Sequence, residues 1–367
     1  GNKPMFEELK NLKPNLKKTI RMWEKTFRDA LNHLPGNVSF RALPPSDVDF
    51  YAKLDLTKYN FETDIEQYAF DLCSMLSESF SKRKAIDDNM LPTVSPVLGI
   101  GDYSAFVGGE ILFQPETSWS KPLLKEITDY QKLPPLGQAK WYKKFLDICE
   151  ALLKRSASSG IPFMRGFFSP LDLAAALRGD AIYFDFYDNP EELRGLLDYC
   201  ADATIRFAED IYALADKYLK DTPYGMWYLK GNINMSEDIA CMISGELYRE
   251  FCAPYTQKVI DHFGRGHLHS HSRALYLVKE ICALKNVTHL WLATDPNQPR
   301  PIDHIEQLAI EANGVCLAID CDSFEEIEKN IHKLIKGNFS LCLPVKSVEE
   351  GVYYTDKFNR LIQGVVK

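Results

Sequence analysis

The 367-residue sequence contains no apolar run of the roughly 20 residues that a membrane-spanning helix requires. It also has little positive charge: 43 Lys and Arg residues stand against 51 Asp and Glu residues, for a formal net charge of −8, and no segment is strongly basic. Clusters of positive charge bind nucleic acids and anionic membrane surfaces, so we expect neither as a partner. Residues 1–18 are polar and lack the apolar centre of a signal peptide. We therefore expect a cytoplasmic protein.

Paired cysteine spacing is absent. The nine cysteines are an odd number and are scattered through segments of helical and extended character. This pattern indicates reduced thiols in a reducing compartment rather than a disulfide framework. We expect most of them to be small core residues.

Nucleotide-binding loops are missing as well. No Gly-x-Gly-x-x-Gly segment opens a helix after the first predicted strand, and no Walker loop is present. Their absence counts against a doubly wound open sheet, which is the alternative architecture for an α/β chain of this kind.

A regular alternation of short apolar runs and amphipathic stretches begins near residue 160. The predicted strands are 160–166, 224–233, 266–271, 287–294, 315–320 and 339–343, with further candidates at 38–43, 92–100 and 110–114. Strands that alternate with helices are typical of a parallel sheet with crossover helices. The count predicts an α/β fold closed into a (β/α)8 TIM barrel, in which functional residues lie at the carboxyl ends of the strands.

The N-terminal segment shows helical periodicity. Apolar residues recur every three or four positions from Leu9 to Leu31, before Pro35 and Gly36. We therefore predict an N-terminal helical extension. Residues 1–90 are assigned to this extension and the first barrel elements, and 91–367 to the barrel, within a single structural domain.

The densest chemical pattern is the histidine cluster at 266–272. His267, His269 and His271 alternate along a predicted strand, so all three imidazoles are expected on one face at the barrel mouth. Cys342 lies near the end of the last predicted strand, whose carboxyl end shares the same rim. His269, His271 and Cys342 are thus candidate ligands for Zn²⁺ with an open fourth position. The alternative is a metal-free role for His269 as a general acid or base.

Other chemical groups lie near the remaining strand ends. Carboxylates there can bind a cationic group, orient a histidine or polarise pyrrole N–H groups, although an Asp after a strand is more often a helix N-cap. Besides His269, the candidate catalytic residues are Asp102 and Tyr228. The candidate substrate-binding residues are Arg165, Asp238, Asp320 and Trp227.

Several passages, taken in order, resemble the uroporphyrinogen decarboxylase superfamily over roughly residues 90–365. They are 98–109 (LGIGDYSAFVGG), 169–179 (SPLDLAAALRG), 186–193 (FYDNPEEL), 243–255 (ISGELYREFCAPY), 267–272 (HLHSHS) and 342–344 (CLP). The superfamily includes zinc-dependent methyltransferases that act on corrinoid proteins and thiols. The resemblance implies a single (β/α)8 barrel and a homodimer.

The resemblance also implies roles for individual residues. Methyltransferases of the superfamily hold zinc with a His-x-Cys pair and a distant Cys. Here His269 falls on the His position, His271 replaces the first Cys, and Cys342 falls close to the second. A decarboxylase would instead begin with an Arg-rich motif, of which only Arg41 is retained, and this disfavours uroporphyrinogen itself as substrate.

Three functions follow from these features. The leading hypothesis is zinc-assisted methyl transfer from a donor, such as a methyl-corrinoid protein, to a thiol or similar acceptor. The first alternative is a carboxy-lyase that decarboxylates a tetrapyrrole without metal, with Asp102 holding pyrrole nitrogens and His269 or Tyr228 moving protons. The second is non-catalytic corrinoid or porphyrin binding, in which Trp227, Tyr228 and Trp291 would stack on the macrocycle.

Overall fold

A computed structural model describes residues 5–45, 53–96, 98–219 and 231–366. Its strands are β1 (Asn37–Leu43), β2 (Leu112–Phe113), β3 (Ser118–Trp119), β4 (Phe167–Phe168), β5 (Ile233–Ser236), β6 (Gly266–His271), β7 (Val287–Ala293), β8 (Cys316–Asp320) and β9 (Asn338–Pro344). Among these described residues, seven strands form the main sheet in the order β1-β9-β8-β7-β6-β5-β4, and every neighbouring pair is parallel. The prediction of an α/β fold with a parallel sheet is therefore confirmed.

The strand candidates near residues 92–100 and 110–114 differ from the prediction. Residues 112–113 pair with β3 in a separate antiparallel hairpin, where Leu112 lies opposite Trp119. The tight turn that joins them, closed by a 2.8 Å bond from Gln114 N to Thr117 O, is too short for the crossover that parallel pairing needs. In the described part of the 92–100 candidate, Val94 forms a parallel bridge with Phe163.

Helices follow most strands, as the alternation predicted. They are α1 (Met5–Leu12), α2 (Leu16–Leu31), α3 (Ile65–Arg83), α4 (Asp102–Ala105), α5 (Lys140–Ser159), α6 (Pro170–Arg178), α7 (Ile182–Asp188), α8 (Pro190–Leu219), α9 (Gly245–Leu247), α10 (Ala253–Phe263), α11 (Val278–Cys282), α12 (Ile305–Ala312), α13 (Phe324–Leu334) and α14 (Val348–Val366). A π-helical turn, Tyr248–Cys252, joins α9 to α10. Across the described ranges, no helix is both long enough and apolar enough to cross a membrane.

The N-terminal helical extension is divided in two. α1 ends before Pro14, whose ring is incompatible with an uninterrupted helix. In α2, Trp23 and Phe27 pack on His289 of β7, with ring centroids 5.2 and 4.7 Å away. The extension therefore packs directly against the sheet.

Strand register arranges the sheet residues in rows. His267 lies opposite His289 and His269 opposite Trp291, while the intervening Leu268 is fully buried. Since alternate residues of a strand point to opposite faces, the sheet has one apolar face and one face that carries the histidines. The parallel pairing places Ser236, the last residue of β5, opposite His269 of β6, so the two strands end at the same edge of the sheet.

All nine cysteines are free thiols. Seven of them are buried, as expected of small core residues.

Candidate metal centre at the carboxyl ends of strands β5 and β6

Three ligand atoms converge where β5 and β6 end. Asp238 Oδ1 lies 3.3 Å from His269 Nε2 and 3.0 Å from His271 Nε2. One ligand atom from each of these residues lies within 4.8 Å of the other two. Among the residues that the structure describes, these three form a cluster that could hold a metal ion. β6 supplies both histidines at i and i+2, and the segment after β5 supplies the carboxylate.

The donor set of this cluster fits a divalent cation. Asp238 Oδ1 is shielded from solvent and has no well-aligned hydrogen bond to any described residue, although two imidazole nitrogens face it. A buried carboxylate oxygen without such a bond is costly, and a shared cation would satisfy it. One carboxylate and two imidazoles are ligands that Zn²⁺ accepts.

Hydrogen bonds on the far side of each ring orient the two histidines. His269 Nδ1 lies 3.2 Å from the Trp291 carbonyl oxygen, and His271 Nδ1 lies 3.0 Å from Asp295 Oδ1. A carbonyl and a carboxylate only accept, so each Nδ1 can donate to its partner, while each Nε2 faces Asp238.

The two histidines differ in their electrostatic surroundings. Burial lowers the pKa of His269, with the nearby Asp238 carboxylate opposing it. For His271, the contact with Asp238 outweighs burial and raises the pKa, and the charge of Asp295 adds to this effect. The two rings therefore protonate at different pH values in the metal-free chain.

A buried carboxylate holds the backbone that presents Asp238. Asp172 accepts hydrogen bonds from Ser236 Oγ at 2.6 Å, Asp238 N at 3.0 Å and Ile239 N at 2.9 Å. Burial, followed by the charge of Asp238, raises the pKa of Asp172 to about 6. The sequence Ser169-Pro-Leu-Asp172 is typical of a helix cap, and Ser169 does accept from Asp172 N at 3.0 Å. The sequence did not predict that the Asp172 carboxylate holds the loop after β5, because these bonds join residues that are distant in sequence.

Glu237, next to Asp238, points into the protein interior. It is fully buried and accepts from Tyr248 at 3.1 Å and Thr256 at 2.8 Å, while its backbone N–H donates to the His269 carbonyl at 2.7 Å. Burial, followed by the charge of Asp172, raises the pKa of Glu237 to about 8. Its backbone bond holds the end of β5 against β6.

Cys342, the third predicted ligand, lies on β9, three strands away from β6 in the sheet order. Its register neighbours are Arg41 on β1 and Asp320 on β8. Burial raises the pKa of its thiol, with Arg41 opposing this effect. Cys342 is not part of the convergent group, in which Asp238 is the third residue beside the two histidines.

Asp102 and Arg165, predicted to act on substrate, form an ion pair with each other. Arg165 Nη2 lies 3.2 Å from Asp102 Oδ2, and both side chains are almost completely buried. Burial raises the pKa of Asp102, with the charge of Arg165 opposing it. The structure therefore brings these two residues together.

The remaining predicted site residues have other partners or lie outside the described residues. Asp320 accepts from Thr294 Oγ1 at 2.9 Å. His267 stacks on His289 with ring centroids 5.1 Å apart, and burial lowers its pKa to about 4. Trp227 and Tyr228 lie outside the described residues.

An aromatic side chain borders the cluster. The Trp291 ring lies 4.0 Å from the His269 ring and is 43% exposed. An indole so accessible on the histidine-bearing face offers a contact surface for an apolar or planar ligand.

Comparisons with known proteins bear on the class of this chain. No protein-family model matches it. The methylcobamide:CoM methyltransferase MtbA of Methanosarcina acetivorans is 23% identical over 154 residues, which cover 42% of this chain and 41% of that protein. MtbA of Methanosarcina mazei is 25% identical over 111 residues, covering 30% of this chain and 29% of that protein. The matches thus span less than half the length of these curated relatives.

A solved structure supports the fold over a larger part of the chain. A methyltransferase from Methanosarcina mazei superposes with a TM-score of 0.57 at 11% identity, covering 90% of this chain and 97% of that one. At this identity the similarity concerns the fold alone. The chain has the α/β fold of a known methyltransferase.

Proposed function

We propose that this protein is a metal-assisted methyltransferase that moves a methyl group from a corrinoid-bound donor to a thiol or a similar acceptor. The observation that carries the proposal is the convergence of Asp238 Oδ1, His269 Nε2 and His271 Nε2 at the carboxyl ends of adjacent parallel strands. This is the edge at which α/β enzymes of the barrel class place their active sites. The names of the two curated relatives, methylcobamide:CoM methyltransferases, support the reaction class.

His269 and His271 would hold Zn²⁺, with Asp238 and Cys342 as the further candidate ligands. When bound, Zn²⁺ supplies Lewis acidity that keeps a thiol acceptor in its nucleophilic thiolate form at neutral pH. The chain's own contribution is orientation: the Nδ1 bonds to Trp291 O and Asp295 leave both Nε2 lone pairs facing one point. The exposed indole of Trp291 forms a wall beside that point for the apolar part of a donor or acceptor.

The sheet edges support the proposal of a closed eight-stranded barrel, the fold typical of such enzymes. Residues 88–94 bond to β1 on one side and to the segment before β4 on the other: Asn89 N donates to Phe40 O at 2.8 Å, and Val94 N donates to Pro162 O at 2.8 Å. This segment would be the eighth strand of the barrel. The 1–90 extension and the 91–367 barrel would then form one domain. A corrinoid protein as partner and a homodimer remain part of the same proposal.

Metal content tests the centre. The purified protein, reconstituted with Zn²⁺ and freed of excess metal, should hold one Zn²⁺ per chain by elemental analysis. His269→Ala, His271→Ala, Asp238→Ala and Cys342→Ala each test one candidate ligand. His262→Ala is the matched control, because this histidine pairs with Glu209 on the surface at 2.5 Å. A wild-type chain that binds Zn²⁺ no better than His269→Ala would overturn the proposal.

Turnover tests the reaction. Methylcobalamin and a thiol such as coenzyme M, the pair that the relatives' names indicate, should give demethylated cobalamin, followed by its visible absorbance. The His269→Ala variant should lose at least tenfold in rate, whereas His262→Ala should not change. Binding of cobalamin without demethylation would favour the non-catalytic alternative. Decarboxylation is not favoured, since Asp102, its expected pyrrole-binding residue, is paired with Arg165.

A further inference from the structure

We infer that Asp295 is a positioning residue that sets the tautomer and the ring orientation of His271. The inference rests on the proposed function, because a fixed His271 ring matters for holding a metal ion. The contacts between Asp295 and His271 are present without any ion. Asp295 follows β7 by two residues, and its Oδ1 lies 3.0 Å from His271 Nδ1.

The contact selects one of two nitrogen arrangements. An imidazole that donates from Nδ1 to a carboxylate keeps its proton there, so its lone pair is on Nε2. His271 Nε2 lies 3.0 Å from Asp238 Oδ1 and faces the cluster, so two carboxylates compete for the proton of this ring: Asp295 draws it to Nδ1 and Asp238 draws it to Nε2. Without Asp295, the ring could flip or carry its proton on Nε2, and it would then present no lone pair to a cation.

Asp295 is itself rigidly held, as a positioning residue must be. Its second oxygen, Oδ2, accepts from Arg273 N at 3.1 Å, and its backbone N–H donates to Ser272 Oγ at 2.8 Å. These two bonds tie the loop after β7 to the loop after β6. The carboxylate therefore cannot turn away from His271 without breaking its bond to Arg273 N, and the bond to Ser272 fixes the backbone from which the side chain extends.

The two histidines of the cluster are oriented by different means. His269 Nδ1 uses the backbone carbonyl of Trp291, which no side-chain substitution removes. His271 depends on a side chain, because its register partner Ala293 ends β7. A carboxylate behind a metal-binding histidine raises the basicity of the imidazole and fixes the ring. Asp295 thus has a specific function that its loop contacts alone would not require.

Histidine tautomers measured in the metal-free protein test this assignment. Two-bond ¹H–¹⁵N correlation spectra, recorded above the pH range in which the imidazoles titrate, should show His271 protonated at Nδ1 in the wild type. Asp295→Ala should shift it to the Nε2-protonated form or a mixture. His269 is the control in the same spectrum and should not change. If His271 keeps its Nδ1 proton in Asp295→Ala, the inference is wrong, whether or not Zn²⁺ binds.

Zinc affinity supplies the second measurement. Asp295→Ala should weaken Zn²⁺ binding by about 10-fold to 100-fold, the range observed when such a partner is lost. Asp295→Asn keeps an accepting oxygen and should retain the Nδ1 tautomer with a smaller loss of affinity. The control is Asp322→Ala, a strand-end carboxylate that pairs with Arg300 at 3.2 Å and should bind Zn²⁺ as the wild type does.

The outcomes separate this inference from the proposed function. If Asp295→Ala does not fold, Asp295→Asn decides: affinity equal to the wild type would contradict the inference. A wild type that binds no Zn²⁺ would remove the metal centre, while the tautomer spectrum would still decide whether Asp295 orients His271.

Discussion

Arg165 donates from Nη2 to Asp102 Oδ2 over 3.2 Å, in an ion pair whose two side chains are 7% and 1% exposed. The guanidinium also donates to the Pro96 carbonyl at 3.1 Å and lies 4.8 Å above the Phe145 ring. These contacts belong to the protein interior, and they favour a structural role for two residues that the sequence suggested for chemistry.

Loss of either partner should therefore lower stability. Asp102→Asn and Arg165→Met should each reduce the free energy of unfolding by about 3–5 kcal/mol, because each leaves a buried group uncompensated. The double variant should lose less than the sum of the two, since the partners interact directly. Urea unfolding curves measure this. An Asp102→Asn protein of normal stability but no methyl transfer would support the catalytic role instead.

Asp172 should matter to metal binding through the loop it holds. Asp172→Asn weakens the bonds to Ser236, Asp238 and Ile239, so the Asp238 carboxylate should lose its fixed position. We expect Zn²⁺ affinity to fall by about tenfold or more and amide exchange at Ile239 to become faster. Asp185→Asn is the control, because it breaks another buried pair, with Arg178, away from the cluster. Equal Zn²⁺ affinity in the two variants would count against this role.

Trp291 should report occupancy of the cluster. Its ring lies 4.0 Å from that of His269, so a change in the charge of the imidazole should alter the indole emission. Adding Zn²⁺ should change the fluorescence of the wild type, and Trp291→Phe should abolish most of this change. Trp119→Phe, which removes an exposed tryptophan of the β2–β3 hairpin, should leave it intact. A zinc response that persists in Trp291→Phe would place the metal elsewhere.

Glu237 should give the metal-free protein a characteristic pH dependence. Burial raises its pKa from 4.5 to about 8, so between these pH values the folded chain keeps a proton that the unfolded chain releases. The folded state then binds more protons, and the free energy of unfolding falls as the pH rises through this window. Below pH 4.5 both states are protonated, and this contribution is fully present.

Glu237→Gln should flatten that dependence, because an amide does not titrate. Unfolding free energies measured at a series of pH values between 4.5 and 8 should show a shallower slope than in the wild type. Glu246→Gln, at an exposed position in α9, should keep the wild-type slope. Identical slopes in all three proteins would mean that Glu237 does not carry the effect.

Local patterns predicted the parallel sheet and the position of the histidines well. β6 covers the predicted range 266–271. β1 begins one residue earlier than predicted, and β9 extends one residue beyond the prediction at each end. Such success is expected where alternation is strong, since burial of one strand face requires a period of two. The hairpin at 112–119 was missed because its pairing depends on a four-residue turn rather than on the apolar pattern of one strand.

By itself, the sequence determined which residues share a strand and a face: His269 and His271 are neighbours at i and i+2 wherever β6 lies. Only the tertiary structure decided what stands opposite them. Asp238 reaches the two Nε2 atoms, and Asp295 reaches Nδ1, because separate strand ends meet at one edge of the sheet. Such contacts join residues more than twenty positions apart, and local periodicity carries no information about which side chains meet across that distance.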